Sequence, residues 1–390
     1  MDVRIEPRRL SGAVTPPPSK SMAHRAVLAL ALSGETDRMP SNLEDSQDIQ
    51  ATKRCVAALL AARGQRGLPL LECGESGSTL RFLLPVALAV AEGGVFTGRG
   101  RLMERPQQPY FDLFAEKGIA CRRSAGALSV QGTLPPGEYR LPGNVSSQFV
   151  TGLLYALPLL PGASEIRMTS PLESRPYVDM TLEMLAAFGI RVENRDYETF
   201  RVPGGQRYQA RDVAIEADWS QAGFWYAANF LDCRLDIQGL NPRSAQGDMA
   251  VADLYWRLAR PGDTEIDLSG IPDLLPPLAV MAAVRSGVTR FVGAARLRMK
   301  ESDRLTTVCR MLTALGVQAE EGPDRLTVRG SALGGGTVDG ANDHRIVMAA
   351  AVAAAACAAP VTILGAEAVH KSYPRFWEEY QRLGGVVHVL

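Results

Sequence analysis

The sequence predicts an α/β protein of two similar domains, each built from three β-α-β-α-β-β units, and three observations carry that expectation. The chain has 390 residues, beyond the ~250–300 at which a single hydrophobic core stops growing. A helix-glycine-hairpin pattern recurs along it: an amphipathic helix, Gly followed by Ile or Val, a short strand, a polar turn and a second strand ending near Gly. A further apolar helix stands upstream of each hairpin.

The clearest copies run from Gly118-Ile119 to Gly132, from Gly189-Ile190 to Gly204 and from Gly316-Val317 to Gly330, glycine-to-glycine gaps of 14, 15 and 14 residues. The first glycine of each suits the position just past a helix, where a left-handed backbone is needed. The alternating apolar residues that follow suit the buried face of a hairpin. Weaker copies at Gly64, Gly262 and Gly384 bring the number to six, at spacings of 54, 71, 73, 54 and 68 residues, hence three per domain. Apolar helices are expected at 22–32, 79–91, 147–157, 219–230, 273–284 and 344–355. A doubly wound nucleotide-binding sheet is disfavoured, because the G-x-G-x-x-G fingerprint is missing. The break between the halves falls near 210–217.

Composition narrows the functional classes. Apolar residues make up 46% and charged residues 22%, and 42 Lys plus Arg balance 42 Asp plus Glu. A neutral chain has no general pull toward nucleic acid or an anionic membrane, so affinity for anions has to come from local clustering. The six cysteines are scattered without a C-x-x-C pair, which suits free buried thiols in a reducing compartment. The four histidines form no H-x-x-x-H pair, which disfavours zinc. The N-terminus carries charges where a signal peptide needs an apolar run. The most apolar stretch, 346–359, is too short to span a bilayer. A soluble cytoplasmic chain is expected.

The local clusters fall at helix starts, where free N–H groups and the helix dipole favour anions. Ser19-Lys20-Ser21, with Arg25 a turn later, opens the first apolar helix and suits phosphate. Gly77, in Glu75-Ser76-Gly77-Ser78, allows a ligand close to the backbone. Arg101 to Pro106 supplies two arginines and a glutamate. Ser146-Ser147-Gln148 offers three short polar groups where one cap would suffice. In the second half, 296–304 packs four cations and two carboxylates into nine residues. Asn342-Asp343-His344-Arg345 caps a wholly apolar helix and leaves Arg345 in need of an anionic partner. Two acids stand out for proton work, Asp273 and Glu301. Taken singly, Asp273 reads equally as a helix N-cap and Glu301 as a salt-bridge partner.

In order and spacing these segments, joined by Glu104-Arg105-Pro106, Ser174-Arg175-Pro176-Tyr177, Ile271-Pro272-Asp273, Lys300-Glu301-Ser302-Asp303-Arg304 and Lys371, resemble the EPSP (5-enolpyruvylshikimate-3-phosphate) synthase family of enolpyruvyl transferases along nearly the whole chain. The resemblance implies an inside-out α/β barrel architecture in each domain, with domains at 15–216 and at 1–14 joined to 217–390, and substrates in the interdomain cleft. It implies attack of the 5-hydroxyl of shikimate 3-phosphate on C2 of phosphoenolpyruvate, protonation of the methylene carbon and loss of phosphate, with neither metal nor organic cofactor. By motif, Lys20, Ser21, Arg25, Ser146, Ser147, Ser174, Tyr177, Asp273 and Lys300 are implied for shikimate 3-phosphate. Lys20, Gly77, Arg105, Gln148, Arg304, Arg345 and Lys371 are implied for phosphoenolpyruvate. Asp273 is implied as base, Glu301 as acid and Lys20 as a further proton-transfer group. The partners implied are small molecules only, with no nucleic acid and no membrane, and a monomer is expected.

The chain departs from the family pattern at Glu75, Phe82, Met103 and Arg296, which stand for a common asparagine, proline, lysine and asparagine. A carboxylate at Glu75 has to be paired or turned away, with Arg81 or Arg105 as the candidate partners. Two other functions remain open. An enolpyruvyl transferase acting on UDP-N-acetylglucosamine is expected to carry a Lys-Asn pair near its N-terminus and a cysteine in a mobile loop, whereas this chain has Lys20-Ser21 and no cysteine in 101–105. A non-catalytic anion-binding protein needs the cations but not both acids.

Overall fold

A computed structural model describes residues 1–35 and 38–390. Twelve α-helices are present among the described residues. Those of the first half are α1 (Lys20–Leu32), α2 (Gln47–Ala61), α3 (Gly77–Ala91), α4 (Gln108–Glu116), α5 (Ser147–Ala156) and α6 (Arg175–Ala187). Those of the second are α7 (Trp219–Phe230), α8 (Val251–Leu258), α9 (Leu275–Val284), α10 (Arg304–Ala314), α11 (His344–Ala354) and α12 (Phe376–Arg382). Short polar side chains set several starts: Ser46, Ser76, Ser146, Asp218, Asp303 and Asp343 each accept a backbone N–H as N-cap. Every residue of α11 is buried, as expected of a helix that is apolar all round.

Four sheets share one plan. Leu70–Glu72 pairs parallel with Gly93–Thr97, which pairs antiparallel with the hairpin Ala120–Ser124 and Ala127–Gln131. The same order recurs in Glu138–Leu141, Ser164–Met168, Thr199–Val202 and Glu193–Arg195. It recurs again in Thr264–Asp267, Val288–Val292, Leu326–Arg329 and Gln318–Glu321. In the fourth sheet Gly336–Asp339 pairs parallel with Val361–Leu364, and the place of a hairpin arm is taken by the N-terminal strand Val3–Glu6, which lies between Val361–Leu364 and Val386–Val389. All six glycines of the pattern (64, 118, 189, 262, 316 and 384) have φ between +70° and +97°, the left-handed conformation that the pattern called for.

The repeat is complete in fewer places than the spacing suggested. After Gly64 the chain runs directly into Leu70–Glu72, and after Gly262 into Thr264–Asp267, each the first strand of the next sheet. These two copies keep the helix and its glycine but have no hairpin. Segment 62–68 is mostly exposed and polar, so it offers no apolar face for a strand to bury. A parallel pair, Ser11–Val14 with Arg234–Ile237, stands apart from the four sheets.

The chain divides into two compact units, Lys20–Ile215 and Met1–Ser19 with Glu216–Leu390. In the first, α3 packs along α5 and α2, and a core centred on Phe82, Phe96, Tyr110, Phe149 and Tyr155 closes over the sheets. In the second, α7 packs against α8, α9 and α11 around Trp225, Phe291, Tyr373 and Phe376. Among the described residues no helix is long and apolar enough to cross a membrane.

Candidate active site

In the unit containing 216–390, one carboxylate collects three cations. Asp273 lies in the 3₁₀ turn Pro272–Leu274, and Pro272 with Pro276 and Pro277 in the first turn of α9 leaves few N–H groups there to cap. Its Oδ1 accepts from Lys300 Nζ at 3.2 Å and from Arg304 Nη1 at 2.9 Å, and its Oδ2 accepts from Arg345 Nη2 at 3.1 Å. Neither this turn nor α9 has a side-chain cap, so capping does not account for Asp273.

Arg304 is the hub beneath it. Only 1% exposed, it donates from Nε to Asp343 Oδ2 at 3.0 Å, from Nη1 to Asp273 and from Nη2 to Glu301 Oε2 at 2.5 Å. Asp343, itself fully buried, also caps α11 by accepting the Arg345 N–H at 3.0 Å. One arginine at the start of α10 thereby fixes the turn carrying Asp273, the loop carrying Glu301 and the start of α11. Lys371 is buried near the end of a 3₁₀ segment and donates to the Asn342 carbonyl at 2.6 Å.

Burial and charge work against each other here. Burial alone raises the Asp273 carboxyl, but Arg345, Lys300 and Arg304 outweigh it and hold the group well below the usual carboxylate range. Burial lowers the Lys300 ammonium, with Asp273 opposing. Burial lowers Arg304 too, and Asp343, Glu301 and Asp273 together push it further up. An ionised carboxylate among fixed cations can accept a hydroxyl proton while the cations hold anions.

In the unit 20–215, the expected residues gather at the starts of α1, α3, α5 and α6. Lys20 Nζ donates to Asp48 Oδ2 at 2.7 Å, an acid in the first turn of α2. Arg25 is 2% exposed and ties α1 to α6: it donates to the carbonyls of Ser21 (2.6 Å) and Tyr177 (2.7 Å) and to Thr181 Oγ1 (2.9 Å). Its guanidinium also lies 5.2 Å from the centroid of Phe82. Burial brings Arg25 down to about 10. Ser174, buried, takes a left-handed backbone (φ 53°) just before α6.

At Gly77 the missing side chain makes room for a cation. A Cβ there would lie 2.5 Å from Nη1 of Arg105, so glycine admits the arginine against the start of α3. Gln148 is held by two neighbours, its Oε1 accepting from Arg81 Nη1 at 2.8 Å and its Nε2 donating to Ser78 Oγ at 3.0 Å. Ser146 caps α5 by accepting the Gln148 N–H at 3.3 Å, and Ser147 follows, buried.

The departures each find a place. Glu75 turns its carboxylate over Gly100, where a Cβ would meet Oε2 at 2.6 Å. Phe82 is buried against Arg25, His24 and Tyr155. Arg296 is largely buried and donates to the Ser269 carbonyl at 2.5 Å. Met103 accepts at its carbonyl from Arg123.

Of the expected residues, Asp273, Lys300, Glu301, Arg304 and Arg345 form one bonded cluster, while Lys371 joins Asn342 beside it. Lys20, Ser21, Arg25, Tyr177, Gly77, Arg105, Ser146, Ser147 and Gln148 lie at neighbouring helix starts in their own unit. Sequence reasoning passed over Asp48, Arg81 as the partner of Gln148, and Asp248. Asp48 and Asp248 both sit at starts of helical segments, where an acid is ordinary, so nothing local marks them out.

The sequence model of the family described as EPSP synthase (3-phosphoshikimate 1-carboxyvinyltransferase) matches residues 5–380. A 3-phosphoshikimate 1-carboxyvinyltransferase of Clostridium acetobutylicum is 41% identical over 420 residues, with 99% of this chain and 98% of that protein covered. One from Clostridium kluyveri is 41% identical over 417 residues, with the same coverage. Among solved structures, EPSP synthase from Acinetobacter baumannii superposes with a TM-score of 0.77 at 22% identity over 100% of both chains. An enolpyruvyl transferase from Streptomyces tendae does so with a TM-score of 0.77 at 19% identity, over 99% of this chain and 98% of that one. Those two likenesses speak for the fold, while the family match and the identity to the clostridial enzymes over full length decide membership: this chain belongs to the EPSP synthase family.

Proposed function

We propose that the chain transfers the enolpyruvyl group of phosphoenolpyruvate to the 5-hydroxyl of shikimate 3-phosphate and releases inorganic phosphate, in the pathway to aromatic amino acids. The observation that carries it is the ionised Asp273 held by Lys300, Arg304 and Arg345, with Glu301 on the same arginine. An anion-binding protein has use for the cations; it has no use for two acids gathered among them.

In this scheme Asp273 takes the proton of the 5-hydroxyl as that oxygen bonds to C2 of phosphoenolpyruvate. The methylene carbon gains a proton, with Glu301 the donor. The C2–O bond to phosphate then breaks, a proton leaves the methyl carbon, and the enol ether forms. Lys20, Arg105, Gln148, Arg304, Arg345 and Lys371, with Gly77 giving access, serve phosphoenolpyruvate. Lys20, Ser21, Arg25, Ser146, Ser147, Ser174, Tyr177 and Lys300 serve shikimate 3-phosphate. The domains expected at 15–216 and at 1–14 with 217–390 are the working units, and the protein acts as a cytoplasmic monomer.

The test is phosphate release with both substrates together and each alone, and with UDP-N-acetylglucosamine replacing shikimate 3-phosphate in parallel. Phosphate only with shikimate 3-phosphate and phosphoenolpyruvate together is expected. Release only with the nucleotide sugar, or none from folded protein, overturns the proposal. Asp273→Asn and Glu301→Gln are each expected to cut kcat at least ~10²-fold.

A further inference from the structure

The internal repeat places an acid at corresponding positions in the two units. In one, Lys20 at the start of α1 donates to Asp48, 28 residues on. In the other, Ser220 in the first turn of α7 donates to Asp248 Oδ2 at 2.5 Å, again 28 residues on. Lysine in the first pair is serine in the second, with both members shifted by 200 positions.

Asp248 is 4% exposed and lies in the 3₁₀ segment Gly247–Ala250 that leads into α8. α7 packs against that segment, against the turn Pro272–Leu274 and against α11. The charged groups facing Asp248 come from these elements: Asp218, the cap of α7; Asp273 in the turn; and Arg345 in the first turn of α11, with His344 next to it in the chain. Burial, reinforced by the charge of Asp273, raises the Asp248 carboxyl to about 7, while Arg345 and the Ser220 hydrogen bond pull the other way. Two buried acids thus share the field of Arg345 and are driven apart, one ionised and one able to hold a proton near neutral pH.

We propose that Asp248 is a positioning residue whose protonation sets how much of the Arg345 charge is available to an incoming carboxylate or phosphate. The proposal rests on the function above in taking Arg345 as a phosphoenolpyruvate contact. With Asp248 protonated, Arg345 answers to Asp273 and the anion. Once Asp248 gives its proton to solvent, a second carboxylate charge faces Arg345, so the anion is held less tightly and Asp273 becomes the stronger base. Affinity and proton abstraction then move in opposite directions across neutral pH.

Steady-state phosphate release, run from about pH 5.5 to 9 on wild type, Asp248→Asn and Ser220→Ala, separates KM for phosphoenolpyruvate from kcat. Phosphoenolpyruvate has its own phosphate titration, which is common to all three proteins and divides out in ratios. Relative to Asp248→Asn, the wild-type KM is expected to rise about threefold or more through a step near pH 7, and Ser220→Ala to move that step to higher pH by removing a hydrogen bond to the charged form. A wild-type to Asp248→Asn ratio that is flat in pH overturns the proposal. Carboxyl-carbon NMR titration of the wild type needs neither turnover nor a foldable variant. An Asp248 signal titrating near neutrality, and moving upward when phosphoenolpyruvate is added, supports the proposal; an Asp248 ionised throughout refutes it. Absence of phosphate release at every pH would sink the enzymatic function, and the NMR titration would still decide the proton.

Discussion

Arg304 carries its charge at a depth where a lone charge is untenable, and its three carboxylate partners show what it is for. Removing one partner of a buried, hydrogen-bonded ion pair costs about 3–5 kcal/mol, because the remaining charges stay buried without compensation. Arg304→Gln is therefore expected to lower the unfolding free energy in urea by about that amount, since Asp343 is fully buried and Asp273 and Glu301 lean on the same guanidinium; a loss under ~1 kcal/mol would show that the network is not cooperative. His24 supplies a prediction with a sign. Burial, then the charges of Lys20 and Arg25, hold its imidazole well below 6.5. The unfolded chain takes up this proton near pH 6.5 and the folded chain only far lower, so between those points the unfolded state binds more protons. The contribution is whole above about pH 6.5 and is lost as pH falls below it, at up to ~1.4 kcal/mol per pH unit. His24→Gln is expected to flatten the stability profile between about pH 5 and 6.5; an unchanged slope would exclude His24 as its source. Residue identities at the site were readable because anion chemistry draws on few residue types. Their wiring was not: Asp273 before Leu274 and Leu275 looks like a cap until the fold brings up Lys300, Arg304 and Arg345 from 27, 31 and 72 residues away.

At the scale of the element, glycine is the punctuation that made the fold legible, and it acts by two different physical means. Gly118 closes α4 with φ +70° and has no heavy atom within 4 Å of a would-be Cβ. Its value is purely conformational, and Gly118→Ala is expected to cost about 1–2 kcal/mol in urea denaturation. Gly330 ends a hairpin with no such backbone, yet a Cβ there would sit 1.7 Å from the Arg285 carbonyl oxygen. Gly330→Ala is expected to cost more than Gly118→Ala, because the backbone at the end of α9 has to move; equal losses would mean that the chain relaxes freely there. Both glycines were marked by the same pattern, which reports where glycine is needed without saying why. The pattern also over-reached. The glycines at 64 and 262 take the left-handed backbone as expected, but they lie beyond the C-caps of their helices, Ala62 and Ala259, and lead into the first strand of the next sheet rather than a hairpin. The starts of the apolar helices were read to within two residues, and the α9 start, expected at 273, falls at Leu275 because Pro272–Leu274 forms a 3₁₀ turn ahead of it.

For the molecule as a whole, sequence neighbours and structural neighbours part company at the N-terminus. Val3–Glu6 is an interior strand of its sheet, bonded to Val361–Leu364 on one side and Val386–Val389 on the other, and Val3 and Ile5 are fully buried. Ser11–Val14 gives Arg234–Ile237 its only partner strand among the described residues. Composition and periodicity give no hint of this, because a four-residue strand carries no address; only the family resemblance assigned the segment to the second half. The lengths of chain that fold together can therefore be set against each other. Residues 20–215 contain both of their own four-stranded sheets and their own core, so this fragment alone is expected to unfold in one cooperative transition by circular dichroism. Residues 216–390 alone leave one sheet split, with Val386–Val389 detached and apolar strand edges open, and are expected to aggregate or to lack a cooperative transition. Adding residues 1–19 as a separate peptide, or fusing them after Leu390 through a flexible linker, is expected to restore the transition. Recovery by the fused segment but not by one carrying Val3→Asp and Ile5→Asp would locate the effect in the buried strand. Cooperative folding of 216–390 unaided would show instead that the N-terminal strand decorates a unit already complete without it.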